Sequence, residues 1–390
     1  MEKNKEKLQI SNLLIENYKK FKSANIFIKF NKSTKESETK VIVKFNEIVI
    51  KIKDEEHQIE TSEFFKINAK FCYNLLVKGS FISFRIITTD DSNNFTTELI
   101  TKSLLEGPKF AVLKLNIFDN EDTKITCSNC DHPLTIEKSV NFKRILSLPS
   151  SSMAMDEWFC HLHSNEQIFV PEQSKCFDEK SKVFEPKIND IFYSNFYFLL
   201  NQENLELNRL RLVKNSIHCK RCLQLLGEKL NSANCIKFWS ESLKFNGKFF
   251  FCDLILPMDL IKKVLCNHLA HHNLSLIAKV IFESTAPNTQ KKIYILLQIM
   301  DRNLKILKLS ENKLKLIEVS AIKVMFLKLT NGDEEDEKTL KYWQSDINSA
   351  TFEFSFKYFH TFLEYLIKES EQIPDNYRFN NGFQLSYVEV

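Results

Sequence analysis

Two Cys-x-x-Cys pairs, Cys127-Ser128-Asn129-Cys130 and Cys219-Lys220-Arg221-Cys222, carry the most legible chemistry in this chain. Each pair sets two thiolates one ligand bite apart, and two pairs complete a tetrahedral four-sulfur zinc site. A site of this type is closed, so its metal stabilises the fold and does not catalyse. Structural zinc contributes on the order of 10 kcal/mol to folding, because the unfolded chain has no preformed site. Since 88 residues separate the pairs, closing the site ties distant parts of the chain together. His132 and His218 flank the pairs and rank below the cysteines as ligands.

A fifth sulfur lies between the pairs, in Trp158-Phe159-Cys160-His161. Met155, Trp158, Phe159 and Leu162 recur at i, i+3, i+4 and i+7 after the turn Leu148-Pro149-Ser150-Ser151-Ser152, which predicts a short helix. At about 100° per residue, Cys160 falls opposite that apolar stripe and faces solvent or a partner. It is a candidate nucleophile, metal ligand or partner contact, although a lone cysteine is more often structural. Cys72, Cys176, Cys235, Cys252 and Cys266 complete the ten. His268 and His272 share a helical face near His271, but no zincin glutamate accompanies them, so they read as helix-end histidines.

Composition narrows the function classes. The 390 residues suit two to three domains, and 34 Phe supply a sizeable core. The 6 Gly include no pair spaced for a dinucleotide or phosphate loop, which argues against a nucleotide-driven enzyme. Net charge is +4, from 54 basic and 50 acidic residues, and only seven of the basic residues are Arg. A nearly balanced, lysine-dominated surface argues against direct nucleic-acid binding. The charged N-terminus has no apolar stretch behind it, and no run is long enough for a membrane span. Ten cysteines without a secretory signal point to a reducing compartment, cytoplasmic or nuclear.

The elements that must position these groups read as α+β and β-rich. Residues 1–126 alternate apolar and polar at period two, as in Ile26–Phe30, Val41–Phe45, Ile48–Ile52 and Phe81–Ile86, which predicts an antiparallel β domain, sandwich or barrel. Ala111–Leu115 reads as a strand leading into the first cysteine pair. Residues 127–240 form a four-cysteine zinc-stabilised module, with a polar loop over Ser164–Ile191 and one aromatic strand over Phe192–Asn201. Residues 241–390 form a mixed α+β region. Here Leu260, Ile261, Val264, Leu265 and Leu269 predict one helix, and Phe356, Phe359, Leu363, Leu366 and Ile367 another with a core-facing stripe, while Tyr294–Met300 and Ile322–Leu327 predict strands. The acidic run Asp333–Glu337 reads as an exposed loop.

The order of these pieces resembles the HECT-like ubiquitin-protein ligases that bind ubiquitin-conjugating enzymes. The matching blocks are Cys127–Cys130, Arg144-Ile145-Leu146-Ser147-Leu148-Pro149-Ser150, Glu157-Trp158-Phe159-Cys160-His161, Phe196–Asn201, Cys219–Cys222 and Leu226-Gly227-Glu228. They span about 127 to 239, with weaker similarity through Tyr294–Leu297 to Phe383–Val388. Ser152-Met153 stands where the family usually has Asn-Trp, and Ser194-Asn195 where it has Gly-Asp.

The resemblance implies a transferase that accepts ubiquitin from a conjugating enzyme and passes it to substrates and to itself. A HECT ligase passes ubiquitin through a cysteine near its C-terminus. Here the last cysteine is Cys266, 124 residues from the end. Covalent transfer would therefore fall to Cys160, Cys235, Cys252 or Cys266, with Cys72 and Cys176 below them. The same resemblance implies an alternative: a non-catalytic binder and inhibitor of the zinc-dependent endonuclease of pre-mRNA 3′-end cleavage. In that case Trp158, Cys160 and His161 contact the nuclease, and Cys160 ligates its active-site zinc.

Overall fold

A computed structural model of the protein describes residues 8–89, 115–116, 122–135, 139–148, 185–230, 234–251, 256–271, 278–287, 289, 291–310, 315–330, 332–346 and 349–390. Trp158, Cys160, His161, Cys176, Cys252 and His272 lie outside these residues, as does most of the strand expected over 111–115. The protein is β-rich and mostly antiparallel, and among the described residues two short strand pairings are parallel.

A ten-stranded sheet forms the frame, and it draws strands from both ends of the chain. Ile10–Tyr18, Ser23–Phe30, Phe81–Thr89 and Lys66–Lys78 come from the first segment. Ile10–Tyr18 then pairs with Lys292–Leu309, with Leu14 opposite Lys308 and Asn17 opposite Lys305. Lys292–Leu309, Leu316–Thr330, Phe383–Glu389 and Phe379–Asn380 continue the sheet, and Lys279–Thr285 and Ser349–Glu353 branch from it. Residues from the segments 1–126 and 241–390 thus share one hydrogen-bonded sheet.

The small sheet Thr39–Val43, Glu47–Ile52 and Glu55–Glu60 covers the N-terminal part. Its Ile48, Ile50, Ile52 and Ile59 pack with Leu13, Ile15, Ile26, Ile28, Phe84 and Leu307. Two sheets packed through alternating inward residues are what the period-two pattern predicts.

Lys292–Leu309 and Leu316–Thr330 run well beyond the strands expected over 294–300 and 322–327. Their register is broken between Ile299 and Leu304, and the two halves serve different cores. Ile293, Ile295, Leu297 and Ile299 pack under helices α1 (Pro257–His271) and α3 (Phe356–Ser370). Tyr294 and Leu296 point to the other face, where Trp343 of α2 (Glu334–Gln344) covers them. Burial on both faces explains why Tyr294–Leu297 shows no alternation. Leu304 and Ile306 reach a separate cluster with Leu14, Phe27 and Tyr387.

Three local expectations are corrected. The acidic run at 333–337 opens α2 and is not a loop: the Asp333 carboxylate caps it by accepting from the Glu335 and Asp336 backbone N–H groups. Carboxylates in a first turn also face the positive end of the helix dipole. The aromatic stretch at 192–201 is a hairpin, Asp190–Tyr193 against Tyr197–Asn201, with Phe192 opposite Leu199. Its first strand takes in Asp190 and Ile191, which the polar loop over 164–191 had included. Finally, Ile367 is exposed although Phe359, Leu363 and Leu366 of the same helix are buried.

Candidate metal centre

The middle of the chain forms a seven-stranded sheet in the order Arg144–Ser147, Asp190–Tyr193, Tyr197–Asn201, Cys235–Trp239, Leu225–Lys229, Ser216–Cys219, Leu210–Val213. Ile125–Cys127 belongs to an adjoining three-stranded sheet with Leu243–Phe245 and Lys248–Phe249. Both cysteine pairs sit where a strand ends and the backbone must turn.

The two turns have the same construction. Cys127 N–H donates to the His132 carbonyl, and Asp131 N–H returns to the Cys127 carbonyl, each at 2.9 Å. Cys219 N–H donates to Gln224, and Leu223 N–H returns to Cys219, again each at 2.9 Å. The fifth residue of each knuckle is left-handed, Asp131 at φ 54° and Leu223 at φ 61°. A branched aliphatic residue is sterically disfavoured at positive φ, so Leu223 is held there by its surroundings.

These knuckles bring the four sulfurs within 4.8 Å of one another. Cys127 Sγ lies 3.6 Å from Cys222 Sγ, and Cys130 Sγ lies 3.7 Å from Cys219 Sγ. A disulfide needs about 2.05 Å, whereas four sulfurs about 2.3 Å from a central zinc stand roughly 3.8 Å apart. The spacing therefore fits a metal ion and not a disulfide. Cys127 and Cys219 are buried, and Cys130 and Cys222 are half-buried. His132 and His218 do not join the group: the backbone of His132 closes the first knuckle, and His218 Nδ1 lies 3.0 Å from the Leu223 carbonyl oxygen.

Burial pushes the Cys127 thiol up to about 12. Burial also acts to raise Cys222, but hydrogen bonds from the Gln224 backbone and from Asn129, Cys130 and Cys127 outweigh it and bring that group to about 6. Backbone N–H groups aimed at sulfur favour the thiolate form that a metal requires.

Packing holds the centre rigid. Cys127 and Cys219 belong to a core with Ile125, Phe198, Leu200, Phe238, Phe245 and Phe250. Lys237, buried in the same sheet, bonds Glu228 at 3.0 Å and Glu353 of the large sheet at 2.5 Å, and lies over the Trp239 ring. Phe196 carries the contact onward, packing edge-on against Phe354 and Tyr358.

Gly227 follows from this geometry. A Cβ there would lie 1.9 Å from the backbone oxygen of Lys237 on the neighbouring strand. Backbone cannot yield as a flexible side chain does, so Gly227→Ala is expected to destabilise the protein by roughly 3 kcal/mol. Thermal unfolding checks it, and an unchanged Tm would show that the strands part without cost.

The other described candidate cysteines sit in unreactive surroundings. Cys235 is pushed up to about 12 by burial and the nearby Glu185 carboxylate. Burial takes Cys266 in α1 to about 12 as well, only partly opposed by Lys262. Cys72 is exposed on Lys66–Lys78, with a thiol raised by partial burial. His268, within α1, packs edge-on against Phe352.

Beside the second knuckle lies a shallow cleft of about 430 Å³, lined by His132, Glu206, Asn208, Arg209, Lys220 and Arg221. Neither this cleft nor the close approach at Gly227 was read from sequence. Three of the seven Arg fall between 209 and 221, and that clustering was the available signal for the cleft.

The frame of paired knuckles, aromatic hairpin and terminal strand extends over nearly the whole chain, and so does a sequence match. Residues 16–385 match the family described as HECT-like ubiquitin-conjugating enzyme (E2)-binding. The chain belongs to this family. Its relatives include an E3 ubiquitin-protein ligase of Homo sapiens, 25% identical over 302 residues, covering 68% of this chain and 72% of the human protein. The Pongo abelii protein of the same name is 23% identical over 301 residues, covering 68% and 72%. That of Rattus norvegicus is 24% identical over 276 residues, covering 66% and 68%. No solved structure matches this family member. Among its described residues, no helix is long and apolar enough to cross a membrane.

Proposed function

We propose that this protein binds a ubiquitin-conjugating enzyme and promotes transfer of ubiquitin to substrates and to itself. The observation that carries this reading is the family match across residues 16–385. The ubiquitin-protein ligase name of the relatives at 23–25% identity supports it. In this reading Cys127, Cys130, Cys219 and Cys222 hold one structural zinc, the ion suited to four thiolates in a tetrahedral set. A role in ubiquitin transfer would suit the cytoplasm and nucleus, where thiols stay reduced.

The route of ubiquitin depends on a nucleophile. Cys235 and Cys266, with thiols at about 12, are protonated at neutral pH and poor attackers. Covalent transfer then rests on Cys160 or Cys252, with Cys72 and Cys176 below them; without it, ubiquitin passes directly from the bound conjugating enzyme. The test combines purified protein, ubiquitin, activating enzyme and a panel of conjugating enzymes. Self-ubiquitination with at least one conjugating enzyme is expected. No stimulation with any of them overturns the proposal. A ubiquitin adduct that thiol reductant cleaves, and that disappears on Cys→Ala at Cys160, Cys252, Cys72 or Cys176, identifies covalent transfer.

The unreactive settings of Cys235 and Cys266 also favour the second reading, a non-catalytic inhibitor of the zinc-dependent pre-mRNA 3′-end cleavage endonuclease. It needs no acyl-accepting cysteine, only a scaffold presenting Cys160 beside Trp158 and His161 as a ligand to the nuclease zinc. Cys160→Ala should then weaken nuclease binding and inhibition without lowering Tm. Unchanged binding and inhibition would remove this reading.

A further inference from the structure

Leu210–Val213 is the last strand of the seven-stranded sheet, paired only with Ser216–Cys219 among the described residues. Its hydrogen-bond phase is fixed by its neighbours. Lys220 N–H donates to the Arg209 carbonyl, while the Cys219 N–H and carbonyl are both engaged within the second knuckle. Leu210, opposite Cys219, therefore sits at a position that makes no ladder bond. Antiparallel pairs alternate, so the backbone C=O of Leu210 and the backbone N–H and C=O of Leu212 face the open edge, while the Leu210 N–H donates to the Leu207 carbonyl.

The side chains differ on the two faces. Leu212 lies opposite Ile217, whose side chain is in the buried core, yet Leu212 itself is 55% exposed. It carries the apolar face of the sheet outward past the point where the core ends. Leu207 and Leu223 add further exposed aliphatic surface, at 53% and 54%. Arg211, opposite His218, takes the other face. Arg209, Lys220 and Arg221 line the cleft at the end of the strand. Both acidic residues in the stretch 205–229 are already used: Glu206 pairs with Arg209, and Glu228 with Lys237. The edge is thus strongly positive. Cations on an edge strand commonly guard against pairing, and here they stand beside the exposed aliphatic side chains of Leu207, Leu212 and Leu223.

We propose that this edge binds an extended segment of a partner protein, one that alternates aliphatic and acidic residues, by adding it as an eighth strand. Aliphatic side chains of the added strand continue the Leu210 and Leu212 face, and its carboxylates meet Arg211 and the cationic cleft. Backbone bonds to the Leu210 carbonyl and to the Leu212 N–H and carbonyl supply affinity, and the alternation supplies specificity. A nucleic-acid ligand is disfavoured because residues 202–234 contain no Phe, Tyr or Trp on which bases could stack. Pairing with a second copy of this chain would set cation against cation.

The test uses the full chain and a fluorescent, end-capped octapeptide alternating valine and glutamate. Saturable binding is expected, with slowed hydrogen exchange at the Leu212 amide, the N–H that faces the edge. Lysine in place of glutamate should abolish binding. Arg211→Glu, at an exposed position, should weaken it at least tenfold with Tm unchanged, and Leu212→Pro should do the same by removing an outward N–H. Should Leu212→Pro lower Tm, Arg211→Glu and the exchange measurement decide. Equal binding of the lysine peptide, no added protection at Leu212, tighter binding of single-stranded RNA, or a dimer that blocks the peptide would each overturn the proposal.

Discussion

Cys219→Ser, or removal of metal by a strong chelator, is expected to unfold the central sheet while the purified wild-type chain holds one zinc. The four sulfurs are drawn from two turns 88 residues apart in sequence, and two of them are buried in the core. The cost of losing the ion is on the order of 10 kcal/mol, because the unfolded chain offers no preformed site. That is comparable to the whole net stability of an ordinary domain, about 5–15 kcal/mol. The polar contacts between the knuckles are weak substitutes for the ion: Cys127 Sγ to Gln224 Oε1 at 3.3 Å, Gln224 Nε2 to Ser128 Oγ at 3.1 Å, and Arg221 to the Cys130 carbonyl at 3.5 Å. Elemental analysis and thermal unfolding with and without chelator check the expectation. A chain that carries no zinc and melts unchanged with Cys219→Ser would refute the metal centre.

The second large effect concerns Glu16, which is 1% exposed at the join between the two ends of the chain. Its Oε1 accepts from the Tyr387 hydroxyl at 2.7 Å and pairs with Lys323 Nζ at 2.6 Å. Its Oε2 accepts from Asn25 Nδ2 at 2.8 Å and from the Tyr18 hydroxyl at 3.0 Å. Removing one partner of a buried pair leaves the other charge uncompensated, at about 3–5 kcal/mol. Glu16→Gln is expected to cost that much. Glu16→Gln combined with Lys323→Met should cost less than the single change, since no charge is then stranded. A double variant as unstable as the sum of its parts would show that the pair is not coupled.

The same carboxylate sets an acid limit. Burial acts to raise its pKa, but Lys323 and the hydrogen bonds from Lys323, Tyr387 and Asn25 outweigh burial and hold it below the ordinary 4.5. A depressed folded-state pKa gives stability that is present in full above the unfolded value. It is lost as pH falls from the unfolded value through the folded one. Denaturant unfolding of the wild type should therefore weaken below about pH 4, and Glu16→Gln should flatten that dependence.

How much of this was legible follows from the range of each signal. Ile26–Phe30 and Ile48–Ile52 alternate because each strand has one buried face, and that pattern is written within a few residues. Tyr294–Leu297 does not alternate because α1, α3 and α2 bury both its faces, so its sheet neighbours were hidden. The hairpin at 190–201 read as one strand since its turn, Ser194–Phe196, keeps Phe196 for the next core instead of a turn-forming glycine. Asp333 looked like loop because a capping carboxylate and a solvated one are the same residue type. Glu16 gave no signal, for its partners come from strands up to 371 residues away.

Sequence alone determined the candidate set Cys127, Cys130, Cys219 and Cys222, the helices at Pro257–His271 and Phe356–Ser370, and the family, because spacing and periodicity are local properties of the chain. Tertiary structure alone decided that the two knuckles face each other at 3.6 and 3.7 Å, that both chain ends enter one sheet, and that Leu210–Val213 is the last strand of the central sheet among the described residues. Those facts depend on register and packing between segments far apart in sequence, and no local pattern of residue types encodes which strand will be the last.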